Sequence, residues 1–218
     1  AKGVTIGQTM LVHPWLGCGE CSACKAEQEN LCPTMRSIGI FRDGGYATHC
    51  MVPNPKYLVD IGDVDPTVAT PYSCSGVTVY SALKKAMPLR DDEWLAIMGA
   101  GGLGLSAVAI AKAMGVKNVI SVDIDDSHLE VRKGGRYVIV GLYGGQVTIS
   151  LPTIPMRALS IMGSYVGSLG ELRELMDLVK TGKVKPIPIE TRPVEQAYQT
   201  LQDLKAGKIV GRVVLTND

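Results

Sequence analysis

Trp94-Leu95-Ala96-Ile97-Met98-Gly99-Ala100-Gly101-Gly102-Leu103-Gly104 is the stretch on which the reading of this chain turns. The apolar run from Trp94 to Met98 reads as a short buried strand. Gly99, Gly101 and Gly104 then occupy the three glycine positions of a dinucleotide-binding fingerprint, with Gly102 and Leu103 completing the loop. An almost wholly apolar helix follows from Leu103 to Met114 and is ended by Gly115. Val119 to Val122 reads as the next strand, and Asp123 stands at its end, 19 residues after Gly104. A glycine pattern alone is weak and also suits a turn that merely packs a helix on a strand; the strand, helix and carboxylate supply the context it requires. In that context Gly99 allows the tight turn, Gly101 lets the backbone approach a pyrophosphate, and Gly104 lets the helix pack on the sheet with its N-terminus facing the phosphates. Asp123 would accept hydrogen bonds from ribose hydroxyls. A carboxylate there repels a 2′-phosphate and Ile124-Asp125-Asp126 brings no arginine, so NAD is favoured over NADP.

Working outward, Thr9 to His13 and Tyr46 to Val52 have the look of short strands, and the pattern from Val68 to Ala86 is helical, interrupted by Pro71. Pro88 to Asp92 is the turn before the strand at Trp94. Arg136 to Val140 and Leu159 to Met162 are further strand candidates, each ending at a glycine. Ser168 and Glu171 predict a capping box for a helix with Leu172, Leu175, Met176 and Val179 on one face, closed by Gly182. Another helix starts near Pro193, with Val194, Ala197, Tyr198 and Leu201 on one side and Gly207 beyond its end; Val210 to Leu215 is a final strand.

The second local signal is the quartet Cys18, Cys21, Cys24 and Cys32. Such short intervals suit one metal better than two disulfides, and four thiolates complete a tetrahedron around zinc with no position left for water, which makes a structural site. Free thiols, disulfides and an iron–sulfur cluster are the weaker readings. Gly17 and Gly19 ease the tight backbone, and Lys25 could offset part of the cluster's negative charge. The 218 residues carry 22 Lys and Arg against 21 Asp and Glu, a formal charge of +1, which provides no field for nonspecific nucleic-acid binding. No apolar run approaches the roughly 20 residues that span a bilayer, and Ala1 to Gly7 lacks the charge and apolar core of a signal peptide. The expectation is a cytoplasmic protein without membrane or nucleic-acid partners, its core built from Val, Ile, Leu, Met and Ala because aromatic residues make up only 5%.

The cysteine quartet, Asp43-Gly44-Gly45-Tyr46-Ala47, Cys74-Ser75-Gly76-Val77-Thr78-Val79-Tyr80, the fingerprint with Asp123, and Val140-Gly141-Leu142 together resemble the zinc-dependent medium-chain alcohol dehydrogenases, in order and over nearly the whole chain. The likeness is nearest to bacterial and archaeal members with a Pro-Trp pair before the zinc loop. It implies an α/β protein: a doubly wound parallel sheet, the Rossmann nucleotide domain, plus a mainly β, barrel-like (GroES-like) catalytic domain. Residues 1–75 would be part of the catalytic domain, 76–190 the NAD-binding domain and 191–218 a return to the catalytic domain. It further implies that Cys74 is a ligand of a catalytic zinc and that Thr78 contacts the nicotinamide. Val140 and Leu142 would line the nicotinamide and substrate cleft, and Ser164 and Val166 would hold the carboxamide through backbone groups. Arg212 would reach the pyrophosphate, and Trp15 would wall the substrate pocket. Without the resemblance Cys74 reads as a buried core residue, and Trp15 reads equally well as ordinary packing. Cys50 reads as core, and His13, His49 and His128 as surface or core histidines outside the family's ligand positions.

Two gaps qualify these implications. The family's other catalytic-zinc ligands, a cysteine and a histidine, lie in a segment N-terminal to anything in this sequence. Val122 and Arg136 are also separated by too few residues for the family's further βα units, roughly 30 residues each. The missing strands would include the shared neighbour of the two sheet halves, so its loss exposes apolar faces and open edges. The expectation is therefore a piece of a longer enzyme that oxidises alcohols to aldehydes or ketones with zinc and NAD, as a homodimer or homotetramer, with Leu159 to Val166 offering an interface strand. A polyol or sugar dehydrogenase, and an NAD-binding, zinc-stapled module without turnover, are the alternatives.

Overall fold

The computed structural model describes residues 3–122, 132–142 and 149–217. Strand β1 (Met10–Val12) pairs antiparallel with β2 (Leu58–Asp60), Leu11 opposite Val59. The cysteine-rich loop lies between them in sequence and contains a short helix, α1 (Ser22–Lys25), followed by a 3-10 turn over Glu29–Leu31. Asp65 caps α2 (Pro66–Ala69), its carboxylate accepting from the Thr67 and Val68 amides, and a 3-10 turn over Thr70–Ser73 leads into α3 (Ser75–Ala86).

Three parallel strand pairs follow. In the first, β3 (Trp94–Met98), α4 (Gly102–Ala113) and β4 (Asn118–Val122) form one strand–helix–strand unit with Trp94 level with Asn118 and Met98 with Val122. The second joins β5 (Arg136–Ile139) to β6 (Ser160–Gly163), with α5 (Thr153–Met156) between them in sequence. After α6 (Leu169–Lys180), the third joins β7 (Ile189–Pro193) to β8 (Arg212–Thr216) across α7 (Ala197–Lys205). The capping box is present on α6: the Ser168 hydroxyl accepts from the Glu171 amide, and the Glu171 carboxylate accepts from the Ser168 amide at 2.8 Å.

The main core lies where α3, α4 and α6 meet. Val77, Ile110, Ala111, Leu172, Leu175 and Met176 are fully buried there, with Val59, Ile61 and Ile97 at its margin. Leu172, Leu175, Met176 and Val179 recur at helical spacing on α6 and supply its buried stripe. A smaller cluster of Leu16, Ile38 and Tyr57 underlies the cysteine-rich loop. Among the described residues no helix is long and apolar enough to cross a membrane.

Several expectations need correction. Among the described residues Tyr46 to Val52 forms no strand, and Cys50 is exposed rather than core. Alternation there meets no neighbouring backbone to complete a ladder, and without pairing a strand has no advantage over water. Strand β3 falls where expected but is buried on one face only: Trp94 is 66% and Met98 61% exposed. The described part of the parallel sheet is divided, since β3–β4 and β5–β6 share no hydrogen-bonded neighbour. That division matches the shortness of the segment after Val122. On α7 the expected apolar side carries Tyr198 and Leu201 exposed, because no described element packs over it.

His13 is the least expected member of the interior. It is fully buried, stacks against Tyr57 with ring centroids 6.5 Å apart, and neither ring nitrogen has a hydrogen-bond partner among the described residues. Burial pulls its pKa down from 6.5 to about 4, against the opposing pulls of Glu29 and of a poorly aligned approach to the Trp15 backbone, and with the added repulsion of Arg173 and Lys56. The unfolded chain therefore binds a proton that the fold rejects, so the neutral ring's contribution is complete above pH 6.5 and is lost as pH falls towards 4. We expect acid to destabilise the protein by about 3 kcal/mol over that window through this one residue. Urea midpoints measured across pH should show a much shallower acid slope in His13→Phe than in the parent; parallel slopes would refute the assignment.

Candidate functional site

The cysteine-rich loop converges on a point. Its four sulfurs all lie within 4.8 Å of one another, with Cys18 and Cys24 3.9 Å apart. A tetrahedral zinc with bonds of about 2.3 Å spaces its sulfurs about 3.8 Å apart, so the donor set fits that ion. Local backbone prepares the thiolates. The Glu20 and Cys21 amides both donate to the Cys18 sulfur at 3.4 Å and hold its pKa down to about 6. Burial pushes Cys24 up to about 12. Burial also raises Cys32, but the Cys18 amide and the Thr34 hydroxyl outweigh it and leave that thiol below its usual value. Gly17 is required by packing, because a Cβ there would strike the Cys24 sulfur and stand 3.1 Å from the Glu29 Cβ.

Glu29 braces this loop from beneath and was not singled out by the sequence. Its buried carboxylate accepts from the Tyr57 hydroxyl at 2.5 Å, from Lys56 Nζ at 2.5 Å and from the Gly17 amide at 3.2 Å. Burial raises its pKa, but these three donors prevail and keep the carboxyl below its ordinary range. Nothing in the spacing marks it, since its partners are Gly17 at the start of the loop and Lys56 and Tyr57 well beyond it.

The glycine loop leads directly from β3 into α4. Gly99 adopts φ +95° and donates its amide to the Val122 carbonyl at 2.7 Å, extending the β3–β4 ladder by one bond. A Cβ on Gly104 would collide with the Gly99 carbonyl, and one on Gly102 would collide with the Arg212 guanidinium. Gly101 caps α4 without a side-chain bond, and the space where its Cβ would stand is open. The first amides of α4 therefore lack a capping side chain beside a half-buried arginine, whose described hydrogen bond is to the Gly211 carbonyl at 3.2 Å. A cleft of about 940 Å³ borders the loop at Ala100 and runs between α4 and the segment around Lys183 and Pro186. Asp123, the expected ribose partner, lies outside the described residues, as does His128.

Of the remaining expected site residues, Trp15, Cys74 and Thr78 lie at the start of α3, and Ser164 meets its last turn through Lys85. Trp15 is buried, donates its indole N–H to the Ser73 carbonyl at 3.3 Å and meets the Tyr165 ring edge-on at 6.2 Å. Cys74 is exposed, which overturns its reading as a core residue. Partial desolvation raises its thiol pKa, and the charge of Arg212 offsets part of that rise. The Thr78 hydroxyl is buried and donates to the Cys74 carbonyl at 2.7 Å. Ser164 is buried and accepts from Lys85 Nζ at 2.9 Å, and Val166 is buried at φ +39°. Val140 is half-buried, whereas Leu142 is 87% exposed and walls nothing among the described residues. His49 is exposed beside Thr48. Among the described residues Cys74 joins no group of metal-binding side chains. One sulfur does not hold a zinc as three protein ligands do, so the described donors do not fit a catalytic zinc and no step is derived through one.

Residues 1–63 match the family described as alcohol dehydrogenase GroES-like domain, and residues 113–215 match zinc-binding dehydrogenase. An NAD-dependent alcohol dehydrogenase of Sulfurisphaera tokodaii is 32% identical, covering 98% of this chain and 76% of the relative. An alcohol dehydrogenase of Geobacillus stearothermophilus is 34% identical, covering 98% and 77%. The acetophenone reductase of Geotrichum candidum, solved in complex with NAD, superposes with a TM-score of 0.84 at 27% identity, covering 98% of this chain and 74% of that one. The Sulfurisphaera alignment spans 264 residues against a chain of 218, so that relative carries residues inside the matched span that have no counterpart here.

For the cysteine loop the expected outcome of Cys24→Ser is loss of tightly held zinc, from about one equivalent to near none by plasma emission analysis. Protease should then cut within residues 17–33 at concentrations that spare the parent. Retention of a full equivalent would show that the quartet does not hold the ion.

Proposed function

The chain belongs to the zinc-binding, medium-chain alcohol dehydrogenase family, and from that premise we propose that it serves NAD-linked interconversion of a small alcohol with its aldehyde or ketone. The observation that carries this reading is the open N-terminus of α4 beneath Arg212, with Gly102 and Gly104 each in a place where no side chain fits. Amides of the Gly101 to Leu103 turn and the Arg212 guanidinium would grip the pyrophosphate, one through the helix dipole and the other through formal charge. Asp123 would accept from the adenosine ribose and disfavour a 2′-phosphate. Thr78, with its hydroxyl committed to the Cys74 carbonyl, would present its methyl to the nicotinamide. Backbone groups of Ser164 and Val166 would hold the carboxamide, Val140 and Leu142 would flank the ring, and Trp15 would wall the substrate side. Bound NAD would supply the hydride acceptor or donor.

The Cys18, Cys21, Cys24 and Cys32 thiolates would hold a structural zinc that closes the loop. Cys74 alone does not hold a catalytic zinc, and it would serve as a donor only beside ligands from outside the described residues. The division into residues 1–75, 76–190 and 191–218 follows the family pattern, as do a cytoplasmic setting and a homodimer or homotetramer joined near Leu159 to Val166.

Titration calorimetry tests the assignment. The parent should bind NAD in preference to NADP. Arg212→Gln should weaken NAD by about tenfold, the scale of one charged contact, and Gly104→Val should abolish it. Asp123→Ser should narrow the preference over NADP. Equal binding of both coenzymes by the parent, or an Arg212→Gln variant with undiminished affinity, would refute the reading.

A further inference from the structure

We infer that Asn30, inside the cysteine loop, is a positioning residue that holds the backbone turn at residues 164–166 in the shape that receives the nicotinamide end of the coenzyme. The inference rests on the dinucleotide reading above. Asn30 is 6% exposed, and its side-chain Nδ2 donates to the Tyr165 carbonyl at 3.1 Å across 135 residues of sequence. Its Oδ1 is buried without a partner among the described residues. A buried amide with an unmet acceptor is unfavourable as packing alone, and the bond from its nitrogen to the Tyr165 carbonyl is the described interaction that offsets its burial.

What that bond holds is unusual. Val166, the next residue, is β-branched and buried at φ +39°, a left-handed backbone that such side chains rarely adopt. Strain of this kind persists only where neighbours over-determine it, and here they do. Lys85 Nζ donates to the Gly163 carbonyl at 3.3 Å and to Ser164 Oγ at 2.9 Å, fixing one side of the turn. Gly167 fixes the exit, since a Cβ there would stand 2.5 Å from Val77 Cγ2 and 2.8 Å from the Val77 carbonyl. Asn30 supplies the remaining restraint, and the Trp15 ring against Tyr165 lies beside it. With the Tyr165 carbonyl engaged by Asn30, the peptide groups flanking it are set in orientation, which is the condition for backbone recognition of a carboxamide. The Asn30 side chain thereby joins the cysteine loop to this turn.

The test separates the two ends of the coenzyme. NADH and ADP-ribose, which lacks the nicotinamide, are titrated into the parent and into Asn30→Leu, each first shown to retain the parent's zinc content. The expected result is a fall of about tenfold in NADH affinity, with ADP-ribose changed by no more than about twofold. Asn30→Asp, which keeps the shape but cannot donate and sets a carboxylate against a carbonyl, should give the same split and serves if the leucine variant does not fold. A proportional fall for both ligands, or no fall for either, overturns the inference. A parent that binds NADH and ADP-ribose equally would also overturn it, by showing no nicotinamide subsite to position. Failure of the parent to bind either ligand overturns the dinucleotide reading itself, and this inference with it.

Discussion

Close approach at helix α3 is the constraint from which the rest of the described structure follows. A Cβ on Gly76 would stand 2.6 Å from Tyr72 Cδ1 and 3.3 Å from Leu175 Cδ2, and one on Gly167 would crowd Val77. These two glycines let α3 sit against the turn before it, against α6, and against the turn that ends at Gly167 at once. Val77, with no exposure, is the residue where the contacts meet. Interiors are close-packed, so displacement of this helix by even a methyl group would be felt at all three neighbours. Because Cys74 stands at the N-cap of α3 and Thr78 lies in its first turn, the same packing that stabilises the core sets the floor of the candidate site.

The cysteine-rich lobe obeys a different rule. Its own hydrophobic cluster is small, three buried residues against nineteen in the main core. A lobe with so little apolar area to bury needs a cross-link to stay ordered, and four converging sulfurs provide one when a cation joins them. Glu29 completes the arrangement by fastening the loop to Lys56 and Tyr57 beside β2. Its carboxylate is nearly buried, yet it stays ionised because three donors replace the water it has lost. Glu29 thus ties the cysteine loop to the residues beside β2 through charge and hydrogen bonds.

What could be read from the sequence was what local chemistry determines. The strand at Trp94, the glycine loop and the helix after it are signalled by apolar runs and by residues with special backbone freedom, all within about twenty positions. Cys18 to Cys32 is likewise a local pattern, and the capping box at Ser168 needs only four residues. Contacts made across the chain left no such trace. Asn30 and Tyr165 lie 135 residues apart, and Glu29 and Tyr57 lie 28 apart. No spacing rule links them. Cys50 departs from expectation for the complementary reason: its alternating neighbourhood satisfies the local rule for a strand, but pairing is non-local and none is found among the described residues. Trp94 and Met98 show the same limit, since burial of a strand's second face depends on what covers it.

Electrostatics explains why the glycine loop is suited to an anion before one arrives. Arg212 is half-buried, and among the described residues it has no carboxylate partner; burial pulls its pKa down, and the neighbouring Cys74 opposes that only in part. Such a charge is unfavourable where it stands unless something negative completes it. The unsatisfied amides at the start of α4 are partial positive charges in the same place, and Gly102 brings the two within contact because no side chain intervenes. A diphosphate would meet both sources of attraction without requiring either to move, so little of its binding free energy would be spent on reorganisation. Replacing Gly102 by any other residue would push the guanidinium off the helix end and separate the two charges. The glycine therefore matters here for the arginine it admits as much as for the phosphate it leaves room for.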